Sequence, residues 1–185
     1  MSTREGIIQL GDQLIRGKGF NAFSFYDISK KLKIKNASIH YHFPTKTDLG
    51  LSILEDHTKK LLALIKSTTT KSPVFKLNAF LSIYTKIKAE GRVCLVGSLA
   101  TDLHTVDVKM AKDLKTFANK ILEWVTAILE EGRQKKVFSF QGSARTKALM
   151  VITNMLASLQ LSRLTGEKDF YTIQKEIIKE LKTKH

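Results

Sequence analysis

The chain predicts an all-α protein of about nine helices: an N-terminal three-helix bundle carrying a helix-turn-helix, followed by a larger helical bundle. Three observations carry this reading. Apolar residues recur at i, i+3 and i+4 from end to end, and no alternating run argues for a sheet. Only two prolines occur, Pro44 and Pro73, so few positions forbid a helix interior. Finally, residues 24–49, SFYDISKKLKIKNASIHYHFPTKTDL, read as two short helices joined by a tight basic turn, with a third restarting after Pro44.

The elements follow in order. A first helix, about 3–17, buries Ile7, Ile8, Leu14 and Ile15, with the small Gly11 on the same stripe; Gly17 and Gly19 end it. Ser24 starts the second, with Asp27 three positions on. That spacing is a capping box, in which each side chain satisfies the other residue's free backbone N–H. Ile28 and Leu32 form its inner face. Lys35 or Asn36 opens the third helix, and Pro44 stops it. Thr45 with Asp48 repeats the capping pattern and starts a long fourth helix bearing Leu49, Leu54, Leu61, Leu62 and Ile65. Polar residues 68–72 form a loop before Pro73. A fifth helix then runs to about Ala89 with Phe80, Ile83, Tyr84 and Ile87. Gly91 and Gly97 punctuate a shorter segment, CLVGSLATDL. A long helix, roughly 107–134, carries Leu114, Phe117, Ile121, Trp124, Ile128 and Leu129 on one stripe. Residues 137–142 are a break. Ser143 begins another helix, ended by Gly166, and the last helix aligns Phe170, Ile173, Ile177, Ile178 and Leu181 opposite lysines.

Composition excludes several classes. With 43% hydrophobic residues the 185-residue chain buries a sizeable core and is not disordered. A single cysteine, Cys94, makes no intrachain disulfide, so no oxidising compartment is required. Arg4, Glu5 and Asp12 stand where a signal peptide needs an apolar run, and the most apolar stretch, 148–161, is interrupted by Thr153, Asn154, Ser158 and Gln160. A cytoplasmic protein is expected. The net charge of +14 favours a polyanionic partner. It does not locate one, because residues 1–50 carry +4 and the other 135 carry +10, nearly the same density. What stands out locally is Lys30, Lys31, Lys33 and Lys35, four lysines within six positions and no acid among them.

The third helix carries the chemistry. With Ile39 and Phe43 in the core, Ala37 and Tyr41 point almost directly away from it at 100° per residue. Ser38 and His40 flank them, and Asn36 sits at the helix start. The outward face is small, polar and aromatic, with no carboxylate to face phosphate. A helix entering the DNA major groove needs that composition. The start of the helix offers free N–H groups to a phosphate, and Lys46 is placed to touch the backbone.

The segment resembles the DNA-binding domain of the tetracycline-repressor (TetR) family of transcriptional regulators. Gly19-Phe20, Ser24 through Ser29, Ile34 through Phe43, and Phe43-Pro44-Thr45-Lys46 followed by Leu49 fall at that family's spacing, over about 45 residues. Residues 92–100, RVCLVGSLA, are similar to a sequence common at the start of the family's C-terminal domains. The resemblance implies that Lys35, Asn36, Ala37, Ser38 and Tyr41 read bases or adjacent phosphates. It also implies that Ser24, His42 and Lys46 occupy phosphate-contact or helix-cap positions. Two residues depart from the pattern: His40 stands where tyrosine is usual, and Lys35 where serine often caps the helix. His40 still offers a ring N–H to phosphate. The resemblance further implies a division into a DNA-binding domain, 1–50, and an effector-binding and dimerisation domain, 51–185. Phe80, Tyr84, Phe117, Ile121 and Trp124 would line the cavity of a small apolar or aromatic effector.

The expectation is therefore a ligand-responsive repressor, without cofactor or metal, that leaves a palindromic operator when effector binds. Leu149, Ile152, Leu156, Leu159, Phe170, Ile173 and Ile177 exceed what one slim bundle needs to cover, which points to a homodimer through the last two helices. A runner-up is an effector-independent, architectural DNA-binding bundle. A rival from another class is a small helical enzyme built on Cys94, Asp102 and His104. No nucleophile–base spacing or glycine elbow accompanies those three. His40 and His42, two apart on a helix, diverge by about 200° and are not a metal pair.

Overall fold

A computed structural model describes residues 2–182. Among them are nine α-helices: α1 (Thr3–Lys18), α2 (Phe25–Leu32), α3 (Asn36–His42), α4 (Lys46–Thr68), α5 (Pro73–Ala89), α6 (Leu95–Thr101), α7 (Val108–Gln134), α8 (Ala144–Thr165) and α9 (Glu167–Leu181), with a 3-10 turn at Phe20–Ala22. The expected all-α architecture is what the chain adopts. The chain divides into two compact units, Met1–Leu62 with Cys94–Ala118, and Ala63–Val93 with Asn119–His185. Helices α4 and α7 contribute residues to both.

Helix ends in the first unit are set by local chemistry. Ser2 caps α1 in a capping box with Glu5. The Ser24 N–H donates to the Asp27 carboxylate at 2.7 Å, and the Ser24 hydroxyl donates to it at 2.9 Å. The Thr45 N–H donates to Asp48 at 2.9 Å while the Asp48 N–H donates back to the Thr45 hydroxyl at 3.1 Å. Each such cap is worth about 1 kcal/mol. The unit's core joins Ile7, Leu14, Ile15, Ile28, Ile39, Phe43, Leu49 and Ile53, all buried. Ile8 was expected there and is only half-buried, because Leu10 and Leu14 fill the inner stripe instead. Helix α6 is tied to α1 by the Ser98 hydroxyl, which donates to the Ile15 carbonyl at 2.6 Å.

In the second unit, Phe80, Leu81 and Tyr84 of α5 share the core with Trp124, Val125 and Ile128 of α7 and Val151, Met155 and Leu159 of α8. Gly166, at φ 117°, lets α8 turn directly into α9. The break at 137–142 is more than a loop. Phe138 is buried, pairs in an isolated antiparallel bridge with Lys182, and lies over Gly132, where a Cβ would sit 1.9 Å from its ring. The Lys76 ammonium donates to Glu131 at 2.6 Å, and Gln174 of α9 donates to the Leu81 carbonyl and the Thr85 hydroxyl of α5.

The surplus apolar stripe of the last two helices is composed differently from expectation. Leu159, Phe170 and Ile177 are buried within the chain's own core. The apolar side chains left exposed are Leu149, Met150, Leu161 and Leu164 of α8 and Tyr171 and Ile173 of α9; Ile152 and Leu156 are half-buried. Helix α8 mixes apolar and polar residues on every side, so its sequence pattern does not reveal which side its own chain covers.

Candidate nucleic-acid interface

The helix-turn-helix is α2, a turn at 33–35, and α3. Helix α2 ends where Lys33 takes the left-handed conformation, φ 54° and ψ 42°, its N–H bonded to the Ser29 carbonyl. Lys35 is the N-cap of α3, in extended backbone and without a side-chain cap. The third helix therefore starts at Asn36 with N–H groups left open, as the lysine in place of a capping serine implies.

Ile39 is fully buried and anchors α3. Tyr41 is 85% exposed, and Asn36, Ala37 and His40 are exposed, while Ser38 and His42 are half-buried. The outward face holds no acid. The two histidines differ in use. The His40 ring stacks edge-on against Phe25 at 5.0 Å, and its Nδ1–H donates to the Pro44 carbonyl at 3.3 Å, so it braces α2 against the turn after α3. His42 is sandwiched between Tyr41 and Phe43, at 5.1 and 6.4 Å between ring centroids.

An open groove of about 670 Å³ runs between the start of α2 and the start of α4. It brings together Ser24, Asn36, His40 and Lys46 from the expected set. It also brings Tyr26, outside that set, and Thr45, which the sequence marks as a helix cap. Tyr26 is 63% exposed, and an aromatic residue one helical turn before Lys30 was the available signal. Ser24 lies here as a cap, its hydroxyl given to Asp27. Both capping carboxylates are held below the usual range: Asp27 by the Ser24 backbone and hydroxyl, Asp48 by the Thr45 hydroxyl and backbone.

Lys46 does not point outward. Its ammonium donates to the Phe23 carbonyl and sits 4.2 Å from the Phe23 ring centroid and 4.8 Å from that of Phe20. Burial lowers its pKa, with Asp102 and Asp27 opposing. Asp102, after α6, accepts from the Phe20 N–H at 2.8 Å and the Asn21 amide at 3.0 Å, so it closes the turn between α1 and α2. The Asp102 of the rival enzymatic set is thereby committed to structure. Cys94 is too: it is 8% exposed, caps α6 by accepting from the Gly97 N–H, and burial pushes its thiol up to about 11. A thiol so raised is a poor nucleophile.

Two helix–helix contacts position this module. Asp12 of α1 accepts from His57 Nε2 of α4 at 2.7 Å and from Arg16 at 3.0 Å, and Arg16 is 6% exposed. Gly50 of α4 lets Met110 of α7 approach, since a Cβ there would lie 2.8 Å from the methionine sulfur.

Of the expected effector-lining residues, Phe80, Tyr84 and Trp124 form one aromatic cluster. Phe80 lies 5.4 Å from Tyr84 and 6.1 Å from Trp124, both edge-on. Ile121, half-buried, is in the same unit. Phe117 belongs to the first unit and packs on His57 at 6.3 Å.

Residues 7–53 match the family of bacterial regulatory proteins, tetR family. Over nearly its whole length the chain is similar to a TetR transcriptional regulator from Legionella pneumophila: 32% identical, TM-score 0.87, 98% of each chain covered. This chain belongs to the TetR family. It is accordingly a helix-turn-helix, DNA-binding transcription regulator and not an enzyme. A TetR-family regulator from Agrobacterium tumefaciens is also similar, 25% identical with a TM-score of 0.89 over 97% of each chain. Among curated relatives, the repressor NemR of Escherichia coli strain K12 is 22% identical over 85% of this chain and 83% of its own length. The repressor DhaR of Mycobacterium sp. strain GP1 is 25% identical over 69% of this chain and 66% of its own. No described helix of this TetR-family protein is long and apolar enough to cross a membrane.

Proposed function

We propose that this helix-turn-helix repressor acts in the cytoplasm as a homodimer and binds a near-palindromic operator, leaving it when a small apolar or aromatic effector binds. The observation that carries the reading is the acid-free exposed face of α3, with Asn36, Ala37 and Tyr41 outermost behind a basic turn. Lys35, Asn36, Ala37, Ser38 and Tyr41 read bases and adjacent phosphates. Ser24, His40, His42 and Lys46 hold the reading helix in place, and His40 also reaches phosphate. The curated relatives NemR and DhaR are named as repressors, which favours repression over activation.

The effector reading rests on the Phe80, Tyr84 and Trp124 cluster, with Ile121 in the same unit. Aromatic edges with few fixed charges suit an apolar or aromatic molecule better than a sugar. Coupling requires that effector bind the operator-free state more tightly, and operator then weakens effector binding by the same factor.

The experiment is selection of bound duplexes from random DNA with the full chain. Enrichment of a two-fold site with half-sites one helical turn or more apart is expected. Binding with a steep salt dependence and no enrichment would instead make the chain an architectural DNA-binding bundle. Compounds that release the selected duplex should shift Trp124 fluorescence.

A further inference from the structure

Lys33 is a non-glycine residue held in the left-handed backbone region, at φ 54° and ψ 42°. Glycine adopts that conformation without the clash of a Cβ, so a lysine there is strained where the local geometry favours another residue. A non-glycine residue in this region is uncommon and marks a position where a use of the side chain is to be sought. The Lys33 side chain is exposed, and the surrounding sequence is basic: between Asp27 and Asp48 there are five lysines and no acid. Those two bounding carboxylates are engaged by their own caps, and Lys46 is turned in onto Phe23. The outward positive charge of this segment is therefore the turn and the end of α2: Lys30, Lys31, Lys33 and Lys35.

Position decides which of these meets DNA. Lys33 lies three residues before Asn36, so their Cα atoms are at most about 11 Å apart. The reading end of α3 enters a groove about 12 Å wide, and the turn preceding it lies at the phosphate rim. We propose that Lys33 is a sequence-independent phosphate contact, kept at a backbone position that glycine would fill with less strain. This rests on the operator-binding reading above, and it adds a residue outside the set expected to read bases.

The test separates charge from strain. Lys33→Gly removes both, Lys33→Asn removes the charge with a residue that tolerates the left-handed region, and Lys33→Arg keeps the charge. Lys136→Gly is the control, since Lys136 is also left-handed, at φ 57°, and lies far along the chain between α7 and α8. Binding is measured to the duplex selected by the wild-type chain and to an unrelated duplex of equal length, from 50 to 300 mM salt.

Lys33→Gly and Lys33→Asn should weaken both duplexes alike, by about three- to eightfold near 0.1 M salt, and reduce the salt slope by about 0.9. Their Tm should be unchanged or raised by about 1–3 °C. Lys33→Arg should keep the slope, and Lys136→Gly should leave binding unchanged. An unaltered slope in Lys33→Gly and Lys33→Asn, with the wild-type chain still selecting an operator, overturns the contact and leaves the operator reading standing. Equal loss in Lys33→Arg also overturns it, because the requirement would then be conformational. A wild-type chain that enriches no sequence overturns the operator reading, and the assignment of Lys33 falls with it.

Discussion

Tyr41 and Asp12 show how differently two polar side chains in one module act. Tyr41 is 85% exposed, with its ring edge-on to His42, so it contributes little to folding. Tyr41→Ala should leave stability within about 0.5 kcal/mol. It should cost about 1–3 kcal/mol of operator binding and relax base preference, read by repeating the selection with the variant. Asp12 is the reverse. Burial raises its pKa, but the hydrogen bond and charge of His57, with Arg16, outweigh that and hold it below its ordinary value near 3.8. A carboxylate depressed in the folded state stabilises above its unfolded pKa, and that stability is lost as pH falls through the folded value. Wild type should therefore exceed Asp12→Asn by about 2 kcal/mol at pH 5, and the gap should close as pH drops below about 4. Chemical denaturation of both across that range checks it; a gap constant down to pH 2 would remove the ion pair as its cause. The sequence made Tyr41 legible because helical phase follows from Ile39 and Phe43. It did not reveal the aim of Lys46, because a four-carbon stem reaches either phosphate or the Phe23 carbonyl from the same Cα.

At the scale of elements, boundaries were legible wherever the signal was local. Ser24 with Asp27, Thr45 with Asp48, Pro73 and Ser143 each mark a helix start by chemistry that needs only three or four residues. Phe138 was not legible, because its burial depends on Gly132 and on Lys182, a bridge across 44 positions. Two glycines test this contrast. Gly17 of α1 has nothing within 4 Å of where a Cβ would stand, so Gly17→Ala should stabilise by about 0.5–1 kcal/mol through helix propensity alone. Gly132→Ala places its Cβ 1.9 Å from the Phe138 ring and must expel it, which should destabilise by about 3 kcal/mol. Thermal melts of the two variants should move in opposite directions. A Gly132→Ala protein as stable as wild type would mean that Phe138 is not packed there.

For the whole molecule, the question is what covers the outer side of α8. Met150, Leu161 and Leu164 lie along one stripe, with Ala157 between them, and Leu164 is 87% exposed. Tyr171 and Ile173 of α9 add apolar surface. Leu159, Phe170 and Ile177 are already spent on the chain's own core, so the unpartnered set is this one. A two-fold interface is self-complementary, and α8 with α9 from each copy would make a four-helix contact that hides it. Light scattering at micromolar concentration should then give twice the 20.9 kDa of one chain. Replacing Leu161 and Leu164 together by Glu puts charge into that contact while touching nothing in the core. The variant should keep its helical circular dichroism and Tm but scatter as a monomer. Its operator affinity should fall at least a hundredfold, because the second half-site would no longer be held at high effective concentration. A double variant that stays dimeric would place the interface elsewhere, and a wild-type chain that is monomeric at that concentration would leave no two-fold contact to hold two half-sites.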